Sequence, residues 1–520
     1  MKDLLFGLLG LCLACNTSQK TVSEKEDKKG NNTKIEVTKI ASSITELELK
    51  EHLYIYASDA YEGRETGQPG QKKAVDYLKK EYIKLGIPAA KKDGNYFQKV
   101  PLSLNKVPKG VLSFKNKKFP VGDHVLTFNS FSGTYSSIAY VGYGIEDGLY
   151  SDYTNIDVKG KIVLVKSGEP QKENGNYILS GSKEKSIWSN MSESLGKRIK
   201  IAKDHGAIGI LYYDSTNFSR FKSRFNYMQR NNSGRMEIKT NKDGFVSLYL
   251  DAHLSKTIYP EIETKNNPTT IESPISFHIE SANNDLASEN VVAFLKGTEK
   301  PEEYLIISSH LDHIGVTDNG EINNGADDDG SGTVALLEIA EAFKKAADAG
   351  NGPKRSIVFL HVTGEEKGLL GSQYYADIQP LFPLKNTVAN LNIDMIGRID
   401  PKRKGNRNYL YLIGSDKLSK DLHDLSENVN NKYSNIEFDY KYNDENDPNR
   451  FYYRSDHYNF AKNNIPIIFY FNGTHDDYHR PTDTPDKINY DLLENRTKLI
   501  FYTAWEIANR EQRIIVDKVK

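Results

Sequence analysis

Tyr304-Leu305-Ile306-Ile307-Ser308-Ser309-His310 is an apolar run ending on a histidine, followed at once by Leu311-Asp312-His313. Three later runs have the same build. Ile357-Val358-Phe359-Leu360-His361-Val362 leads to Gly364-Glu365-Glu366, and Val388-Ala389-Asn390-Leu391-Asn392-Ile393 leads to Asp394. Ile465-Pro466-Ile467-Ile468-Phe469-Tyr470-Phe471 opens into a loop carrying His475 and His479. Short, nearly continuous apolar runs alternating with helical patterns predict the buried strands of an α/β sheet, mixed but mostly parallel and flanked by helices. Sites in such sheets lie beyond the carboxyl ends of the strands. Four strands delivering His, Glu, Asp and His to one edge therefore predict a site there.

A fifth element supplies acid. Asn324-Gly325-Ala326-Asp327-Asp328-Asp329-Gly330-Ser331-Gly332 reads as a loop, and Val334, Leu337, Ala340 and Phe343 after it mark one face of a helix. One aspartate before a helix is an ordinary cap. Three in a row repel one another unless a cation or the helix N-terminus offsets them. Charge counting points to two divalent ions. Asp328, Glu366 and Asp394 with one hydroxide cancel two dications, leaving His310 and His479 as neutral ligands. Mixed imidazole and carboxylate ligation suits zinc. Two zinc ions roughly 3.5–4 Å apart acidify a shared water and polarise a carbonyl, which is hydrolysis without a side-chain nucleophile.

Other chemistries are excluded. Both cysteines, Cys12 and Cys15, lie at the extreme N-terminus, which removes a cysteine nucleophile and any Cys-rich zinc site from the rest of the chain. Neither His-Glu-x-x-His nor Gly-x-Ser-x-Gly occurs. Gly142-Tyr143-Gly144 lacks the following helix of a dinucleotide site and reads as turn glycines. A net charge of -1 gives no basic footprint for nucleic acid.

The chain has 520 residues, which predicts more than one domain. Residues 1–15 read as a signal peptide with an apolar core from Leu4 to Leu13. Its end, Leu13-Ala14-Cys15, resembles a bacterial lipobox, with Cys12 and Asp3 as departures; a plain secretory signal is the alternative. The expectation is an exported protein, lipid-anchored in the cell envelope, touching membrane only through that anchor. Residues 16–43, rich in Lys, Glu, Asn and Ser, predict a flexible tether. Residues 44–125 begin helical, with Ala74, Tyr77, Leu78 and Tyr82 on one face. Residues 126–280 predict a β-rich insertion, and 281–520 the catalytic domain.

With these stretches assembled, the chain resembles the di-zinc aminopeptidases, whose relatives include glutamate carboxypeptidase and the transferrin receptor. The likeness rests on His310-Leu311-Asp312-His313, Gly325 to Gly332, Gly364 to Ser372, Asn392-Ile393-Asp394-Met395 and Tyr478-His479-Arg480-Pro481-Thr482-Asp483-Thr484, with Glu62-Gly63-Arg64-Glu65-Thr66-Gly67 as a weaker match. It implies a zinc exopeptidase fold with a protease-associated domain as the insertion. It implies two zinc ions held by His310, Asp328, Glu366, Asp394 and His479, with a cis peptide between Asp328 and Asp329. It further implies Glu365 as general base, Asp312 as the carboxylate orienting His310, and Tyr478 as oxyanion stabiliser. The activity implied is removal of the amino-terminal residue of peptides by hydroxide between the zincs. A carboxypeptidase or dipeptidase of the same fold is the alternative; a one-zinc glutaminyl cyclase-like transferase and a non-catalytic receptor-like protein fit the complete ligand set less well. The resemblance favours His479 over His475. His313 reads as a loop histidine without a ligand role, and His361 as a satisfied core residue. Arg454-Ser455-Asp456-His457 matches a further motif facing either the ligands or substrate, and the aromatics from Phe438 to Tyr458 either line a pocket or pack the surface.

Overall fold

The computed structural model describes residues 36–231, 234–239 and 244–518. The signal-peptide reading and the tether up to residue 35 lie outside the described residues. The last part of the predicted tether differs: Val37–Ala41 is a short helix whose Ile40 and Ala41 are buried against the main core. Those two apolar side chains outweigh the polar composition around them.

A nine-stranded mixed sheet organises the catalytic half. In chain order its strands are β1 (Phe97–Lys106), β2 (Gly234–Ile238), β3 (Asn283–Leu295), β4 (Lys300–His310), β5 (Arg355–Val362), β6 (Thr387–Ile393), β7 (Tyr409–Ile413), β8 (Glu437–Asp439) and β9 (Ile467–Phe471). They lie in the order β2-β1-β3-β5-β4-β6-β9-β7-β8. The central four, β5-β4-β6-β9, run parallel, while β2, β1 and β3 on one flank and β7 on the other pair antiparallel. Parallel register aligns the central strand ends: His310 pairs with Val362, Ser308 with Asn392, and Ile393 with Tyr470. His310, Glu365-Glu366, Asp394 and the loop after Phe471 thus leave the sheet at one level.

The central strands are buried on both faces, which explains their unbroken apolar runs. Leu305, Ile307, Phe359, Ile468 and Tyr470 join helices α1 (Glu46–Tyr56), α2 (Pro69–Leu85), α3 (Gly332–Asp348), α4 (Lys420–Tyr433) and α5 (Tyr490–Asn509) in one core. The alternating residues Ile306, Val358, Leu360, Ile467 and Phe469 pack on the other side with Tyr375, Phe460 and Phe451. No helix among the described residues is long and apolar enough to cross a membrane.

The insertion has its own core, two larger sheets and a small hairpin of Glu146–Asp147 with Tyr150–Ser151. Its six-stranded sheet uses Val125–Leu126, Ile138–Tyr140, Ile162–Lys166, Gly209–Tyr213, Val246–Leu250 and Thr269–Ile271. The four-stranded sheet uses Lys109–Phe114, Lys117–Pro120, Phe131–Tyr135 and Ile275–Glu280. The unit therefore starts at Lys109 rather than 126, because Leu112, Phe114 and Phe119 pack with Ile275 and Phe277. It is also more helical than its sequence suggested. Phe218–Arg230 forms a helix that buries Phe218, Phe225 and Met228 at helical spacing within a strongly charged stretch. Within the inserted segment, β2 returns to pair with β1 on the large sheet.

A buried acid on α3 gives this fold a pH signature. Glu338 is 1% exposed and lies 3.5 Å from His52 Nε2. Burial raises its carboxyl to about 8 and lowers His52, so the pair is uncharged near neutrality. A carboxyl raised on folding contributes stability that is full below its unfolded value and lost as pH rises through the folded one. Glu338→Gln is therefore expected to melt with the parent near about pH 5 and above it near about pH 9, as followed by circular dichroism.

Candidate metal centre

The five sequence-nominated ligands meet at the carboxyl edge of the sheet. His310 Nε2 lies 3.2 Å from Asp328 Oδ1 and 3.6 Å from Asp394 Oδ1. His479 Nε2 lies 3.0 Å from Asp328 Oδ2 and 3.3 Å from Glu366 Oε2. Asp328 thus turns one oxygen to each imidazole, the geometry of a bridging carboxylate. Its bond to Asp329 is cis.

The three consecutive aspartates have three different environments. Asp329 accepts main-chain N–H bonds from His310, Gly332 and Met395 at 3.1, 2.9 and 3.1 Å, tying β4, α3 and the end of β6 together. Asp327 accepts from Gly397 N, Ser331 Oγ and Asn472 Nδ2, with His475 Nε2 3.2 Å away. Both carboxylates are occupied by protein donors. Asp328 alone turns its carboxylate to the ligand cluster, and Asp483 Oδ2 steadies its loop by accepting the N–H groups of Asp327 and Asp328.

Asp312 acts differently from the orienting carboxylate expected of it. His310 Nδ1 donates to the Asp312 main-chain oxygen at 3.0 Å, which leaves the Nε2 lone pair facing Asp328 and Asp394, while the Asp312 carboxylate is 4.0 Å from that nitrogen. The carboxylate accepts instead from Thr66 Oγ1 at 2.6 Å and from Glu365 N at 3.2 Å, so it anchors the turn that carries Glu365.

Two contributions were not assigned from sequence. Arg64, 1% exposed, donates to Asn324 O at 2.6 Å and Gly325 O at 2.9 Å, clamping the aspartate loop from the N-terminal segment. Gly63 makes that approach possible: with φ at +62°, a Cβ there would lie 2.5 Å from Asn323 O. His313 is fully buried, with Nδ1 2.9 Å from Glu366 Oε1 and 3.8 Å from Asp328 Oδ2. Its spacing of three residues from His310 was the available signal.

The donor set fits zinc. Zinc bonds of about 2.0–2.2 Å in tetrahedral array put neighbouring donor atoms about 3.3 Å apart, which is the spacing found here. Asp328 Oδ2, Glu366 Oε1 and both His313 nitrogens are buried without hydrogen-bond partners, and a shared cation satisfies such atoms. Burial opposes charge on Asp328, yet the adjacent His310 and His479 imidazoles hold it well below the usual carboxylate range. Burial likewise disfavours the His479 cation, yet Asp328 and Glu366 beside it raise it to about 10. Glu365 is the exception, pushed well above its ordinary value by burial and then by neighbouring Glu366 and Asp394.

Residues 290–504 match the sequence model of Peptidase family M28. That segment of the chain is similar to this family. A probable glutamate carboxypeptidase of Arabidopsis thaliana is 34% identical over 106 residues, 20% of this chain and 14% of that protein. A probable zinc metalloprotease of Leptosphaeria maculans is 36% identical over 115 residues, 21% and 24% respectively. The matches thus span less than a quarter of these relatives. Among solved structures, an aminopeptidase from Aneurinibacillus sp. strain AM-1 is 18% identical at a TM-score of 0.48, covering 93% of this chain and 99% of that one. A zinc aminopeptidase from Bacillus subtilis is 17% identical at 0.46, covering 92% and 99%.

Around the ligand cluster, the doubtful residues sort by contact. Ser455 Oγ donates to Asp394 Oδ2 at 2.6 Å and accepts from Asn392 Nδ2. Asp456 accepts from Ser372 Oγ, and burial raises its carboxyl to about 7. His361, bonded to Ser309 and Tyr82, is a core residue lowered to about 3 by burial. Tyr442 and Tyr452 pack in the core, whereas Phe451 and Arg454 reach a small cavity beside the cluster. Tyr478 borders that cavity and stacks on His479 at 3.9 Å.

Arg64→Met leaves the Asn324 carbonyl unpaired and takes one of two donors from the Gly325 carbonyl, which keeps Gly330 N–H. It is expected to cost roughly 2–5 kcal/mol of stability in denaturant titration, and to weaken zinc retention on dialysis.

Proposed function

We propose that this protein is a zinc-dependent aminopeptidase that removes the amino-terminal residue of peptides. The observation carrying this reading is a small cavity opening on the ligand cluster, lined by metal-facing acids on one hand and apolar side chains on the other. Asp328, Glu365, Asp394 and His479 form one wall, and Met395, Phe451, Phe469 and Phe471 another. Its apolar lining suits an apolar side chain next to the scissile bond, as an exopeptidase binds. The carboxylates at its mouth suit a free ammonium group.

A larger cavity of about 790 Å³ leads away from Glu366, Lys367 and Gly368 along the insertion, past Phe221, Arg224, Phe225 and Met228. This is room for the rest of a peptide, and it gives the insertion the part of a protease-associated domain that limits access to short or unfolded chains.

His310, Asp328, Glu366, Asp394 and His479 would hold two zinc ions, which supply an acidified water as nucleophile and polarise the scissile carbonyl. The other steps belong to side chains. Glu365, which lines the cavity, accepts the proton of the attacking water and passes it to the leaving amine nitrogen. Its burial raises its proton affinity toward that of the groups it serves. Asp312 holds the Glu365 main chain in place. Tyr478 offers its hydroxyl to the carbonyl oxygen as charge develops there.

One observation favours a second reading. Arg454 lines the same cavity, and a guanidinium there suits a carboxylate, as a carboxypeptidase requires. The purified chain, assayed on chromogenic aminoacyl amides and on amino-blocked peptides, separates the two. The proposal expects hydrolysis of free-amine substrates only, lost with chelator and restored by zinc. Glu365→Gln is expected to lower kcat by about 10²–10⁴-fold with little change in KM. Cleavage of amino-blocked peptides from their carboxyl end would replace the aminopeptidase reading with the carboxypeptidase one.

A further inference from the structure

We infer that His313 is a sixth protein ligand of the metal pair, binding through Nδ1 the ion shared by Glu366 and His479. The inference rests on the zinc-peptidase reading above and extends it to a residue outside the five-ligand set. His313 is fully buried, and neither ring nitrogen has a hydrogen-bond partner. Leaving one buried donor and one buried acceptor unpaired costs several kcal/mol in total, so a loop histidine with no role is a poor account of it. A histidine that merely orients Glu366 would aim an N–H at it. Nδ1 is 2.9 Å from Glu366 Oε1, yet the pair does not have hydrogen-bond geometry, and both atoms stand as unpartnered. Asp328 Oδ2 lies 3.8 Å from the same nitrogen, and the His479 ring lies 5.7 Å from that of His313 in an edge-on arrangement. Among the described residues, His313, Asp328 and Glu366 form one of two ligand-spaced triads, the other being His310, Asp329 and Asp394.

The aspartate loop is shaped to admit this ring. Gly325, at φ +56°, would place a Cβ 2.6 Å from His313 Cγ and Cδ2. A glycine here lets the loop close over the imidazole and still present Asp328 from its other side.

The consequence is an unequal pair. One position has four protein donors, His313, Asp328, Glu366 and His479; the other has three, His310, Asp328 and Asp394. Four protein donors close a zinc site, whereas three leave a position free. The ion beside His310 is then the one open to the substrate carbonyl, and the ion beside His313 is the more firmly held.

Zinc-loaded crystals of the wild-type chain test this directly. The expected His313 Nδ1–zinc distance is about 2.0–2.1 Å; a separation beyond about 3 Å, with zinc present, overturns the inference. Crystals holding no zinc at this centre would instead overturn the zinc-peptidase reading beneath it. His313→Gln, checked for folding by its apo circular dichroism, provides a second readout by zinc titration calorimetry. Affinity at one site is expected to fall more than about 100-fold, beyond the 10–100-fold that an orienting partner costs, while the other site is unchanged. A smaller loss would show His313 to be a positioning residue and not a ligand.

Discussion

Buried carboxylates at one sheet edge are the constraint on which the rest of this structure depends. Asp312, Asp327, Asp328, Asp329, Glu366, Asp394 and Asp483 crowd beyond the strand ends, all largely withdrawn from water. Such charge is tolerated only when each oxygen meets a donor or a cation. The fold divides the acids accordingly. Main-chain N–H groups and neutral side chains claim Asp327, Asp329 and one oxygen of Asp483, and Ser455 claims one oxygen of Asp394. Oxygens of Asp328, Glu366 and Asp394 are left to face His310, His313 and His479, and these are the atoms a dication completes. The occupied acids are therefore structural staples that hold the unoccupied ones in position.

Much of this was legible in the sequence because its cause is local. A parallel strand buried on both faces must be apolar throughout, so β4, β5, β6 and β9 announce themselves, and a polar residue at the end of each marks the same edge. Three adjacent aspartates beside glycines likewise signal a cation loop. What stayed hidden depends on contacts between distant segments. Arg64 reads as one of 69 basic residues until its guanidinium is seen beneath Asn324 and Gly325. His313 looks like any loop histidine, since only the fold closes Gly325 over its ring and brings Glu366 to 2.9 Å. Asp312 was read as orienting His310 by its carboxylate, whereas the backbone turn puts its carbonyl there instead.

The insertion shows the same limit at larger scale. Its start was set at residue 126, and β-hairpin strands from Lys109 to Pro120 join it only through a partner more than 150 residues later, Ile275–Glu280. The helix Phe218–Arg230 was missed because its apolar face is three residues wide in a charged stretch, and helix propensity there is decided by packing. The helix also lines the larger cavity that reaches Glu366, through Phe221, Arg224, Phe225 and Met228.

The central claim is that one carboxylate, Asp328, joins two metal positions whose remaining ligands come from separate strand ends. Elemental analysis of the dialysed chain, wild type beside Asp328→Asn and Asp394→Asn, tests it most directly. The account predicts two zinc ions per wild-type chain, loss of both on removing the bridging carboxylate, and loss of only one in Asp394→Asn. One ion per wild-type chain, or two retained in folded Asp328→Asn, would contradict it.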